Sequence, residues 1–70
     1  MAIVSTEIES IHGESSNRMI YYRCQDHEGL WHSYGPVITT DAGFDADAHK
    51  SVVAVRVADS LAAEEFEATL

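Results

Sequence analysis

The chain has 70 residues, a formal charge of −8 from twelve acids against four bases, and one cysteine, Cys24. A chain this short buries only about 60% of its unfolded surface. With an internal disulfide excluded, the extra stabilisation is expected from association or a metal. The bases Arg18, Arg23, Lys50 and Arg56 are scattered, which argues against direct binding to a phosphate backbone, since that needs a basic stripe.

No apolar run approaches the ~20 residues of a membrane span. The start, Met1-Ala2-Ile3-Val4-Ser5, lacks the basic region and long apolar core of a signal peptide. A lone thiol suits a reducing compartment. The expected location is the cytoplasm of the producing cell, with neither membrane nor nucleic acid as a partner.

The first expected element spans about residues 2–12, where Val4, Thr6 and Ile8 alternate with Ser5, Glu7 and Glu9 at the period of a strand. Residues 13–17 form a turn cluster. A second strand follows over 18–26, rich in Ile20, Tyr21 and Tyr22. Asp26-His27-Glu28-Gly29 is a hairpin turn, with Gly29 suited to the left-handed position that closes a three-residue loop. A third strand covers 30–39 and exposes an edge at Pro36.

These loops set a register that faces Cys24 with His32, Tyr22 with Tyr34, Ile20 with Pro36, and Ile8 with Tyr22. One sheet face then carries Val4, Ile8, Ile20, Tyr22, Cys24, Leu30, Tyr34 and Ile38. The other carries Ile3, Ile11, Met19, Tyr21, Trp31 and Val37, so neither resembles a solvent face.

Residues 40–45 form a linker in which Phe44 is expected to anchor on the sheet. Asp45 or Asp47 can cap a following helix. The helix is expected near 46–68, in a C-terminal segment 46–70. Val53, Val57 and Leu61 form one stripe, and Val55, Ala58, Ala62 and Phe66 another. The β-branched run Val52-Val53-Ala54-Val55-Arg56-Val57 is compatible with a fourth strand, but the Ala- and Glu-rich continuation favours helix. The fold class is therefore α+β, a single domain in which a three-stranded antiparallel β-meander precedes one C-terminal α-helix packed on the sheet.

Cys24, His27 and His32 lie within nine residues, and Cys-x2-His is a zinc-ligand spacing. Four ligands are not evident, His27 falls in the turn, and cysteine is often buried by packing alone. Cys24 with His32 also matches a nucleophile and its base, yet no third group orients the pair, and a strand-interior thiol is a poor nucleophile. The expectation is a non-enzyme with no cofactor, catalytic residue or metal. Tyr21, Tyr22, Trp31 and Tyr34 could stack bases, but the bases needed beside them are few. Tyr, Trp, Met and Arg are also the residues enriched at protein interfaces.

The run Tyr21-Tyr22-Arg23-Cys24-Gln25-Asp26-His27-Glu28-Gly29-Leu30-Trp31-His32-Ser33-Tyr34-Gly35-Pro36-Val37, with Phe44-Asp45-Ala46-Asp47-Ala48-His49-Lys50 leading into an Ala/Glu helix, resembles small proteins encoded among the morphogenesis genes of tailed bacteriophages and prophages. The likeness covers roughly residues 18–70. It implies a virion or tail-assembly component and carries over no functional residue. The expected function is a structural subunit that contacts copies of itself or other virion proteins through Met19, Tyr21, Trp31, Val55 and Phe66. The alternative is an acidic phage-encoded inhibitor of a host nucleic-acid-handling protein, which requires the acids to gather on one surface.

Overall fold

The computed structural model describes residues 2–14 and 16–68, the last two by backbone alone. Three antiparallel strands, β1 (Ile3–Glu14), β2 (Asn17–Asp26) and β3 (Trp31–Thr39), form one sheet in the order β1-β2-β3. One helix, α1 (Lys50–Ala68), follows and packs on the sheet. This is the α+β meander-and-helix arrangement that the periodicities imply. The expected positions at 69–70 lie outside the described residues.

The helix covers the β2 face that carries Ile20, Tyr22, Cys24 and Asp26, all buried. Val53 and Val57 complete the core from the helix side, with Leu61, Ile3, Ile8, Tyr34, Val37, Phe44 and Ala46 packed around it. The stripe at 53, 57 and 61 is thus the inward one, because residues four apart stack on one helix face. Phe44 anchors as expected, its ring 5.1 Å from that of His49.

Three irregularities change the face assignments. The β1–β2 register shifts between Ile3 and Ser5 and again between Ile8 and Ser10, and the β2–β3 register shifts between Ile20 and Tyr22. Each β-bulge inserts an unpaired residue, and a slip of one residue moves the following side chains to the opposite face. Ile3, Ile11 and Val37, expected on the outer face, therefore lie across from Asp26, Ile20 and Ile20 on the helix side. Ile38, expected inside, pairs with Met19 on the open face.

The register across the hairpins has mixed causes. Cys24 faces His32 and Tyr22 faces Tyr34, as the three-residue loop requires. Gly29 has φ +87 and its amide donates to the Asp26 carbonyl, closing that loop. At the first hairpin the ladder continues to the Glu14–Asn17 pair, so the loop is tighter than residues 13–17. The bulge before Ser10 offsets the difference, and Ile8 still faces Tyr22. Ile20 faces Val37 rather than Pro36, because Gly35 and Pro36 together oppose Tyr21. Gly35 has φ +136, and a Cβ there would lie 3.0 Å from the Ile20 carbonyl oxygen. Only glycine fits so close to β2 in that conformation.

The helix begins at Lys50 rather than 46, for an identifiable reason. Asp45 Oδ1 accepts from the amides of Asp47 and Ala48, so it caps the turn over 46–49 rather than α1 itself. The Ala46 carbonyl accepts the Tyr22 hydroxyl at 2.9 Å. The Lys50 amide, its partner in a regular helix, bonds Asp47 instead. Residues 46–49 are accordingly a turn that ties the linker to the core.

Candidate protein interface

The open sheet face is built by alternation from β2. Met19, Tyr21, Arg23 and Gln25 point away from the helix. Their cross-strand partners are His12, Ser10, Glu7 and Ser5 on β1, with Ile38, Ser33 and Trp31 on β3. Trp31 keeps 44% of its surface exposed and Ile38 66%, and Met19 is exposed as well. Three of the expected contact residues, Met19, Tyr21 and Trp31, therefore share one face.

The polar groups of this face are internally arranged. Arg23 donates to Glu7 Oε2 through Nε and Nη2, and its guanidinium lies 4.5 Å from the Trp31 ring centroid. Cation–π attraction of this kind is worth about 0.5–1 kcal/mol at an exposed site. His12 meets Tyr21 edge-on at 5.7 Å. Glu7 and Arg23 leave this end of the face near neutral, despite the charge of the whole chain.

The other two expected contact residues lie on the helix. Val55 is 60% exposed and sits beside exposed Val52, while Phe66 is exposed near the C-terminal end of α1. The five residues therefore do not form one patch: three share the open sheet face and two lie on the opposite layer.

The Cys24–His32 pairing resolves into two separate bonds. Cys24 is fully buried, with its sulfur 3.5 Å from Thr6 Oγ1. His32 Nε2 donates to Asp26 Oδ2 at 2.8 Å. Asp26, only 1% exposed, also accepts the amides of Glu28 and Leu30 through Oδ1. These bonds, His32 foremost, hold its carboxyl below the ordinary carboxylate range against the opposing effect of burial. Asp26 thus locks the β2–β3 hairpin and orients His32. Sequence reading placed Asp26 in the turn but missed the partnership with His32, which the shared covered face and the loop length could have suggested. Among the described residues no group of three or more His, Cys, Asp or Glu is placed to hold a metal ion.

A cleft of about 190 Å³ opens where α1 leaves β3 uncovered, lined by His32, Ser33, Tyr34, Arg56, Ser60 and Glu64 among others. The acids are divided between layers: Glu7 lies on the open sheet face and Glu64 in this cleft on the helix side. No described helix is long and apolar enough to cross a membrane. No protein-family model, curated protein or solved structure matches the chain.

Proposed function

We propose that the chain is a non-enzymatic structural subunit of a larger assembly, joined first to another copy of itself through the open sheet face. The observation that supports this is the cluster of Met19, Tyr21, Trp31 and Ile38 on a face that no element covers among the described residues. An antiparallel sheet can present one face to water, but that face is then normally polar. Aromatic and Met side chains with an adjacent Arg are the composition of an interface centre. The paired Glu7 and Arg23 spare two approaching copies a direct clash of like charge there. Val52, Val55 and Phe66 would serve a second contact on the helix layer, as a component with more than one neighbour needs.

The resemblance of residues 18–70 to phage morphogenesis proteins makes a virion or tail the proposed assembly, formed in the cytoplasm of the producing cell. An acidic inhibitor would need its carboxylates on one surface, and their division between Glu7 and Glu64 supports it less well. The test is Trp31→Ala in sedimentation equilibrium. Truncating an anchor of this kind costs about 2 kcal/mol or more of association, while Val55→Ala leaves the sheet-face contact intact. Equal association of wild type and Trp31→Ala would count against the open face.

A further inference from the structure

The cleft between β3 and α1 joins three observations that the open face does not use. The first is an unpaired cation. Arg18 donates to the carbonyls of Asp41 and Phe44, Arg23 pairs with Glu7, and Lys50 pairs with Asp47. Arg56 alone of the four has no such partner among the described residues, in a chain with twelve acids. It lines the cleft, and Ser60 and Glu64 follow it at i+4 and i+8 along the same wall. That wall therefore reads cation, hydroxyl, anion.

The second observation is the edge of β3. The sheet order leaves its outer side unpaired among the described residues. Sheet edges are commonly blunted by proline and bulges, and the Gly35-Pro36 irregularity does this for the second half of the strand. Trp31–Tyr34 remains a regular open edge, and the cleft lies beside it. α1 packs more closely over β1 than over β3, which is why the space exists there.

The third is size. At about 190 Å³ the cleft is smaller than the roughly 300 Å³ at which small-molecule pockets begin. It suits one or two side chains of a segment whose backbone runs outside it.

We propose that the cleft receives an extended peptide segment of a partner protein, added as a fourth strand beside Trp31–Tyr34, with an acidic residue against Arg56 and a basic residue against Glu64. Eight helical residues at ~1.5 Å separate those two groups by about 12 Å. At ~3.3 Å per strand residue, the partner's acid and base stand about four residues apart, which keeps both on one face of the added strand. Main-chain bonds to an edge supply affinity in such recognition, and the side-chain sites supply specificity. A partner segment with both charges is neutral overall, so the negative charge of the chain does not repel it. This site uses the backbone edge of Trp31–Tyr34 and the wall of α1, not the apolar side chains of the open sheet face.

The experiment is a selection of random short linear peptides against the full chain. Binding of the enriched peptides is then measured by fluorescence anisotropy to wild type, Arg56→Glu, Glu64→Arg and the double swap. Arg56 and Glu64 are exposed, so the substitutions leave the core alone. The expected result is enrichment of an acid and a base about four residues apart, and at least about tenfold weaker binding to either single variant, equivalent to ~1.4 kcal/mol. The double swap should bind peptides with the two charges exchanged, which a misfolded variant would not. Bound peptide should also slow amide exchange along Trp31–Tyr34. Absence of enrichment, or peptides that bind all four proteins alike, would overturn the proposal. Met19→Ser, on the open face, should leave peptide binding unchanged.

Discussion

Val53 and Val55 lie two residues apart on α1, and their substitutions by alanine should differ sharply. Val53 is fully buried against Ile20, Tyr22 and Cys24, whereas Val55 is mostly exposed. Val53→Ala removes two carbon groups from the core, about 1.6 kcal/mol of transfer free energy at ~0.8 per group. The void adds about 1 kcal/mol where the walls do not close. Alanine returns up to about 0.7 kcal/mol of helix propensity, so the net loss is about 2 kcal/mol. A domain of this length has about 4–10 kcal/mol in total, so the change is large. Val55→Ala gains the propensity and loses little burial, and should be neutral or slightly stabilising. Urea unfolding followed by circular dichroism measures both, with the slope against denaturant unchanged. A loss below about 1 kcal/mol for Val53→Ala, or an equal loss for Val55→Ala, would refute the orientation of the helix.

The hairpin lock predicts a pH dependence. Because the folded carboxyl of Asp26 titrates below its ordinary value, it stabilises the fold above the ordinary carboxylate range, and that contribution disappears as pH falls through the depressed value. Urea midpoints across the acid range should therefore fall less steeply for Asp26→Asn than for wild type; parallel curves would contradict the lock. Gly35→Ala forces a left-handed φ and a 3.0 Å approach to the Ile20 carbonyl, and should cost about 1–3 kcal/mol in the same assay. Tyr22→Phe should cost about 1 kcal/mol by losing its bond to the Ala46 carbonyl. It also frees that carbonyl for the Lys50 amide, so helical exchange protection should extend toward residue 46; an unchanged helix start would show that Tyr22 does not set it.

The elements were legible in the sequence because each carries a clear period and clear turn chemistry. The strand alternation, Asp26-His27-Glu28-Gly29 and the stripe at Val53, Val57 and Leu61 locate all three strands, the second hairpin and the inward side of the helix. What was not legible depends on the backbone rather than on side-chain type. Nothing in Val4 or Glu9 announces a bulge, yet the register shifts there and at Gly35-Pro36 decide where Ile3, Ile11, Val37 and Ile38 point. The outer face consequently has fewer apolar residues than simple alternation suggests, and Met19, Tyr21, Trp31 and Ile38 remain its apolar cluster. The helix start moved because a side chain 24 residues away competes for one carbonyl, which no local propensity contains. Met19, Tyr21 and Trp31 could be grouped from the second hairpin alone, since its loop length fixes their register. The cleft could not, because it depends on where α1 crosses the sheet.

Sedimentation velocity of the full chain over a dilution series, beside Met19→Ser combined with Ile38→Thr, tests the assembly proposal most directly. Both substitutions sit on the open face as cross-strand neighbours and outside the core. The wild type should sediment faster as concentration rises, reaching at least a dimer, while the double variant stays monomeric with its circular dichroism unchanged. A wild-type chain that remains monomeric throughout, indistinguishable from the variant, would contradict association through the open sheet face.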